Sequence, residues 1–326
     1  DKASTADARR QWEERSQELL RAVPEADSFE LRLNLAKARY LQAEEIAERH
    51  RLRLATPDER QEAERALRTV GATFADIGSK INRRVEALEK REATGRDEDA
   101  PAIRSALAEA RRLRSLAMYY TGWSLYYSAF LNGKPTVDDA MNSFGWLLNA
   151  SGGRQPNVER VPEALLRYEH VARAALGCAL CESLRGRDGA AILWLDAVEK
   201  AEGLPPAVTK QLYPRRMVVL AGGKRWADLE YMIKKRREPS KDRPTQPLEV
   251  GEARLLAVLT LDALQDKGMT SVGRELVQAL ADTAMTDLVT LGEVKQVQDI
   301  VSRYGSAPLG GDGFMLETLH RFLGTG

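Results

Sequence analysis

Residues 117–148, AMYYTGWSLYYSAFLNGKPTVDDAMNSFGWLL, constrain this chain more than any other stretch. An aromatic-rich run of helical spacing reaches a Gly-Lys-Pro turn, and a second helix follows with Ala140, Phe144 and Leu147 at i, i+4 and i+7. Two such helices cannot bury their apolar faces alone and must stack on neighbours, which is the layout of a helical repeat unit. The same spacing returns in AAILWLDAVEKA, where Ala190, Trp194 and Ala197 follow the turn Arg185 to Gly189. A weaker copy runs from Val208 to Leu220, turns at AGGKRW and continues through Leu229, Met232 and Ile233.

With 326 residues, the chain could hold two compact domains or one elongated array that grows by adding units. The N-terminal part differs from the rest. ARRQWEERSQELLRA predicts an amphipathic helix that Pro24 stops, with Trp12, Ser16, Leu19 and Leu20 on one side. A second helix from Asp27 or Ser28 to about Leu54 carries Phe29, Leu31, Leu35, Ala38 and Leu41. Thr56, Pro57 and Glu59 form a cap with proline at the first helical position. The third helix runs to about Ala93, with Ala63, Leu67, Val70, Phe74, Ile77, Ile81, Val85 and Leu88 three and four apart. Residues 1–95 therefore read as a long helical hairpin that projects from the array or caps it.

Residues 96–238 hold the repeat-like pairs, with helices expected from Asp99 or Pro101 to Leu131, from Thr136 or Val137 to about Ser151, and from Pro162 to Leu184. The stretch EPSKDRPTQP, with three prolines, is the best linker, and residues 248–326 read as further helical repeats. The last of these, FMLETLHRFL, is a terminal cap or the opening helix of a further unit in a longer protein, and its apolar Phe314, Met315, Leu316, Leu319, Phe322 and Leu323 favour the second. Asp1 stands where a Met would open a complete chain, as in an excised piece or a mature form without its leader. No alternating strand pattern bounded by hairpin turns competes, so the fold class is all-α.

Residues 174–197, AALGCALCESLRGRDGAAILWLDA, resemble a tetratricopeptide repeat. Leu176-Gly177 matches the Leu-Gly pair of the first helix, where the small residue lets the second helix approach. Leu180 stands where the family prefers an aromatic, Gly186 lies in the turn, and Ala190, Trp194 and Ala197 match the second helix. The loop is about one residue longer than the motif, and Pro205-Pro206 falls later than the closing proline. Residues 117–148 and 216–233 match more loosely, and the first ninety or so residues fall outside the resemblance. It implies a right-handed superhelix of antiparallel helix pairs whose concave face binds peptides or partner domains, and it brings no catalytic residue.

Forty-nine Lys plus Arg against forty-eight Asp plus Glu give a net charge of +1, which argues against nucleic acid as partner. No run of about 18 apolar residues exists to span a membrane. Cys178 and Cys181 have the spacing of a redox or metal half-site but sit inside a predicted helix without further ligands, and read as small core residues. His50, His170 and His320 are isolated, and Glu44-Glu45 and Asp138-Asp139 read as solvated helix positions. The glycines of LGGDG, residues 309–313, follow no strand and lack the Lys of a phosphate loop.

Two groups remain as candidate contact residues. Tyr119, Trp123, Tyr126 and Phe130 form one helical stripe, and Tyr120 and Tyr127 form another about a hundred degrees round the helix. A central helix can bury both, or one can line a groove, with Tyr120, Trp123 and Tyr127 as its contacts. Lys234, Lys235, Arg236 and Arg237 suit the dipole of a helix C-terminus and are also the residues that an acidic partner or headgroups would meet. The leading expectation is a non-catalytic scaffold for a protein or peptide, without cofactor or metal. The alternatives are a coat-like subunit that self-associates and a helical-array enzyme, which requires a cleft of convergent charged and aromatic side chains.

Overall fold

The computed structural model describes residues 28–94, 100–133, 137–148, 155–239 and 247–305, with isolated positions between 11 and 24. The expected helix over residues 6–22, most of the 238–247 linker, the 309–313 turn, His320 and the 314–323 helix lie outside the described residues. Among the described residues there is no strand. Eleven α-helices follow one another among the described residues from Ser28 on: α1 (Phe29–Arg51), α2 (Pro57–Thr94), α3 (Ala100–Asn132), α4 (Asp138–Gly145), α5 (Glu169–Leu184), α6 (Asp188–Lys200), α7 (Pro206–Gly222), α8 (Trp226–Arg237), α9 (Val250–Leu264), α10 (Ser271–Thr290) and α11 (Val294–Tyr304).

The helices pack in sequence order. α1 packs on α2 and α3, α3 on α4 and α5, α5 on α6 and α7, α7 on α8 and α9, and α9 on α10 and α11. This arrangement of odd-numbered helices, each touching the next, is compatible with a helical repeat. Along α2 runs α3, in the most extensive helix contact among the described residues. Two apolar cores result, one from Phe29 to Val219 and one from Met217 to Ile300, and α7 contributes to both.

α2 follows its sequence pattern: all eight apolar positions from Ala63 to Leu88 are buried. Its start is the expected capping box, with the Glu59 amide donating to Thr56 Oγ1 (3.2 Å) and the Thr56 amide donating to Glu59 Oε2 (2.7 Å). α1 departs from expectation. Its buried apolar positions are Phe29, Leu33, Ala36, Tyr40, Ala43 and Ala47, while Leu31, Ala38 and Leu41 are exposed. The face against α2 and α3 uses alanines for close approach and Tyr40 to meet Phe74 and Tyr120 at 6.5 and 5.2 Å. α5 starts at Glu169, not Pro162, because two 3₁₀ turns, Val158–Arg160 and Glu163–Leu165, occupy the preceding chain. In α6 the buried seam is Ala191, Trp194, Leu195 and Val198, so Ala190 and Ala197 sit at its edge.

Phe144 joins the pairs. Its side chain is fully buried, and a Cβ added at Gly122 of α3 or Gly177 of α5 would lie 2.6 or 2.5 Å from its ring. Trp123 meets the same ring edge-on at 5.5 Å. Gly177 therefore opens space for α4 of the preceding pair, not for α6 as the repeat resemblance implies. Gly177→Ala is expected to destabilise the fold by about 2–3 kcal/mol, since the methyl group and ring cannot share the space. Adding Phe144→Leu should recover part of the loss, and denaturant unfolding followed by circular dichroism checks both.

Candidate functional site

Past Ala43, α1 changes what it offers its neighbours. Glu44, Glu48 and Leu52 recur every four residues, so they fall on one side of the helix and its end. Along that side they meet three later helices in turn. Glu44 Oε1 accepts from Arg173 of α5 (3.2 Å), and Glu48 takes both Nη atoms of Arg215 of α7 (3.0 and 2.8 Å). The Leu52 carbonyl accepts from Arg254 Nε of α9 (3.0 Å). Arg53 in the following turn then pairs with Asp262 of α9 (2.6 Å).

The tyrosines of α3 complete the cluster. Tyr127 Oη donates to Glu48 Oε1 (2.7 Å) and lies 3.4 Å from Glu44. Arg51 donates to Tyr126 Oη (2.9 Å) and to Glu48 (3.2 Å), with its guanidinium over the Phe130 ring. Arg173 stands over Tyr119 and Trp123. The two carboxylates titrate in opposite directions. Burial pushes Glu44 up against the pull of Arg173. Burial acts likewise on Glu48, but Arg215 and Arg51 overcome it and hold that carboxyl well below the usual range. Burial also raises the Tyr127 hydroxyl well above its ordinary value.

Cavities flank this crossing on both sides. One, of about 510 Å³, lies over the first turns of α7 and α9 and is lined by Glu44, Glu48, Arg173, Lys210, Arg215 and Glu252. The other, of about 420 Å³, lies over the last turns of α3, α5, α7 and α9. It is mainly apolar, with Phe130, Leu184, Val218, Leu259, Trp226 and Met269, and carries Arg53, Lys224, Asp262 and Asp266 as charged groups. Arg51 lines both.

The contact residues singled out in the sequence fall elsewhere. Tyr120, Trp123 and Tyr127 are all buried, Trp123 and Tyr127 completely, and Tyr120 stacks on Phe74 at 5.1 Å. Both aromatic stripes of α3 are therefore interior, apart from half-buried Phe130. The basic run of α8 is split: Lys234 pairs with Glu230, Arg236 with Glu252 and Arg237 with Asp287, and Lys235 is exposed. Cys178 and Cys181 are free, buried thiols that burial pushes up. Burial, aided by Arg53, Arg60 and Arg51, lowers His50 to about 4, and burial also lowers His170, which meets Tyr119 edge-on. No group of three or more His, Cys, Asp or Glu among the described residues could hold a metal. No described helix is long and apolar enough to cross a membrane.

Glu44 corrects the sequence reading, since it is part of the ion-pair cluster and not a solvated helix position. Glu48, Arg51, Arg173, Arg215 and Arg254 were not singled out. No regular spacing marks the last three, since Arg173 and Arg254 are the fifth residues of α5 and α9 and Arg215 is the tenth of α7. No family model matches the chain, and no curated protein or solved structure matches it either.

Glu48→Gln should destabilise the fold by about 3 kcal/mol, near the low end for breaking a buried pair because Glu48 keeps some contact with water. Because its folded pKa is lowered, Glu48 contributes stability that is complete above the ordinary carboxylate pKa and is lost as pH falls below it. Glu44, shifted upwards, works in the opposite sense as pH rises. The difference between wild type and Glu48→Gln, measured by urea unfolding from neutral pH down to about 3, should therefore stay constant to about pH 5 and shrink below it.

Proposed function

We propose that this protein is a non-catalytic scaffold, a degenerate tetratricopeptide-like array that holds a segment of a partner protein on the face crossed by α1. The right-handed superhelix implied by residues 174–197 would make that face concave. The observation that carries the reading is the 420 Å³ cavity, because four consecutive odd-numbered helices each contribute to one apolar trough with charged groups beside it. Phe130, Leu184, Val218 and Leu259 are half-buried there, a place for one or two apolar side chains of a peptide. Trp123 and Tyr127 then back the trough through Tyr126, which lines it, whereas Tyr120 packs away from it on Tyr40 and Phe74.

A helical-array enzyme is the second reading, favoured by the convergence of Glu44, Glu48, Tyr127, Arg173 and Arg215 beside the 510 Å³ cavity. Carboxylates displaced in opposite directions are what an acid–base pair needs. Here, however, both carboxylates accept from arginines of the array, so the cluster supports a structural role first. A coat-like subunit would associate with itself as concentration rises, which light scattering reads directly.

Selection of displayed peptides on the immobilised protein tests the scaffold reading. Enriched sequences should carry apolar residues and should bind Leu259→Asp at least about tenfold more weakly, a loss of about 1.4 kcal/mol. Equal enrichment on wild type and Leu259→Asp would overturn the assignment of this trough.

A further inference from the structure

We infer that residues 48–56, the end of α1 and the turn after it, form a strap that lifts without unfolding the array, joining the two cavities into one groove across α5, α7 and α9. The strap is the partition between them, since Arg51 lines both and Leu52 and Arg53 each line one. Its purpose rests on the scaffold reading: the joined groove would admit a longer peptide than the trough alone. The lifting itself is independent of any ligand.

What holds the strap differs from what holds the rest of α1. As far as Ala47 the helix is fixed by buried apolar side chains, Phe29, Leu33, Ala36, Tyr40, Ala43 and Ala47. Beyond Ala47 the only buried side chain of α1 is Arg51. The strap is held mainly by polar contacts, Glu48 to Arg215, Arg49 to Glu59, Arg51 to Tyr126, the Leu52 carbonyl to Arg254 and Arg53 to Asp262, with His50 and Arg51 also resting on the Phe130 ring. Of its apolar side chains only Leu52 packs on the second core, and Leu54 is exposed. Arg53 also sits in the left-handed region at φ 57°, an unfavourable conformation for a residue with a side chain.

Polar contacts with access to water weaken with salt, whereas the apolar contacts of α1 do not. Segments with few buried apolar contacts open at lower free energy than the whole protein. Of the contacts with α3, α7 and α9, the Arg53–Asp262 pair, with about a third of each side chain exposed, is the one that salt reaches most, because Arg51, Arg215 and Arg254 keep a tenth or less of theirs. The array beneath keeps its own contacts when the strap lifts, because α5 packs on α7 and α7 on α9 without it.

Hydrogen exchange by mass spectrometry on the full chain tests this. Lifting unwinds α1 from Glu48 onwards, so the reporters are the amides of Leu52, Arg53 and Leu54, whose hydrogen bonds to the Glu48, His50 and Arg49 carbonyls break as it does. They are expected to exchange at least about tenfold faster than the central amides of α3 and α9, which report global opening. Raising the salt from about 0.05 M to about 0.5 M should speed them further and leave α3 and α9 unchanged. Arg53→Gln, a change at a partly exposed side chain, should do the same at low salt. Exchange of the strap at the rate of α3, or no response to both salt and Arg53→Gln, would overturn the inference. Because no ligand enters the measurement, that failure would leave the trough to stand or fall by peptide selection alone.

Discussion

Glu48 binds together parts of the chain that share no sequence neighbourhood. Its carboxylate accepts from Arg215 on α7, Arg51 on α1 and Tyr127 on α3, so the N-terminal helices and the later pairs meet at one group. The geometry follows from helix periodicity. Acceptors at positions 44, 48 and 52 lie on one side of α1, and arginines on α5, α7 and α9 reach that side in the same order. A helix crossing stacked pairs at any other rotation would deprive Arg215, almost fully buried, of its carboxylate and leave Arg254 with Asp299 of α11 alone. Burying unpaired guanidinium groups is costly enough to exclude such registers.

Beneath this polar contact lies the apolar joint at Phe144. The ring fits because the facing positions on α3 and α5 are glycines, and it takes an edge-to-face contact from Trp123 of α3. Trp123 in turn stacks on Tyr127, which donates to Glu48. The joint between pairs and the anchorage of α1 are thus two ends of one packed column. Steric fit at one end fixes the tyrosine whose hydroxyl is used at the other.

How much of this the sequence disclosed depended on whether a contact is local. The eight apolar positions of α2 repeat at three and four and are all buried, so α2 was legible in detail. The all-α class was legible for the same reason. α1 misled because its leucines, Leu31 and Leu41, face outwards while small residues and Tyr40 face the core. The partners of Glu44 and Glu48 stand at positions 173 and 215. Nothing in a helical period links such distant residues, and a glutamate with an arginine partner looks in sequence like any solvated one. Tyr120, Trp123 and Tyr127 were visible as stripes, but periodicity gives a residue's side of the helix and not whether another element covers that side.

The choice of charge over apolar contact at the end of α1 has a physical consequence. Well-packed apolar residues can stabilise such a crossing as strongly as ion pairs do. They are non-directional, however, and would tolerate α1 in several rotations and depths. A bidentate guanidinium–carboxylate pair admits one geometry, so Glu48 with Arg215 sets the position of α1 over α7 more narrowly than leucines could. The same pair gains its strength from exclusion of water. Its tightness therefore depends on the neighbours that shield it, above all Tyr127 and the completely buried side chains behind it. Cavities open to solvent on both sides of the crossing leave that shield thin at residues 48–53, where the polar contacts are concentrated. The register of α1 is thereby specified by groups whose hold responds to the solvent, while the helix pairs below are held by packing that does not.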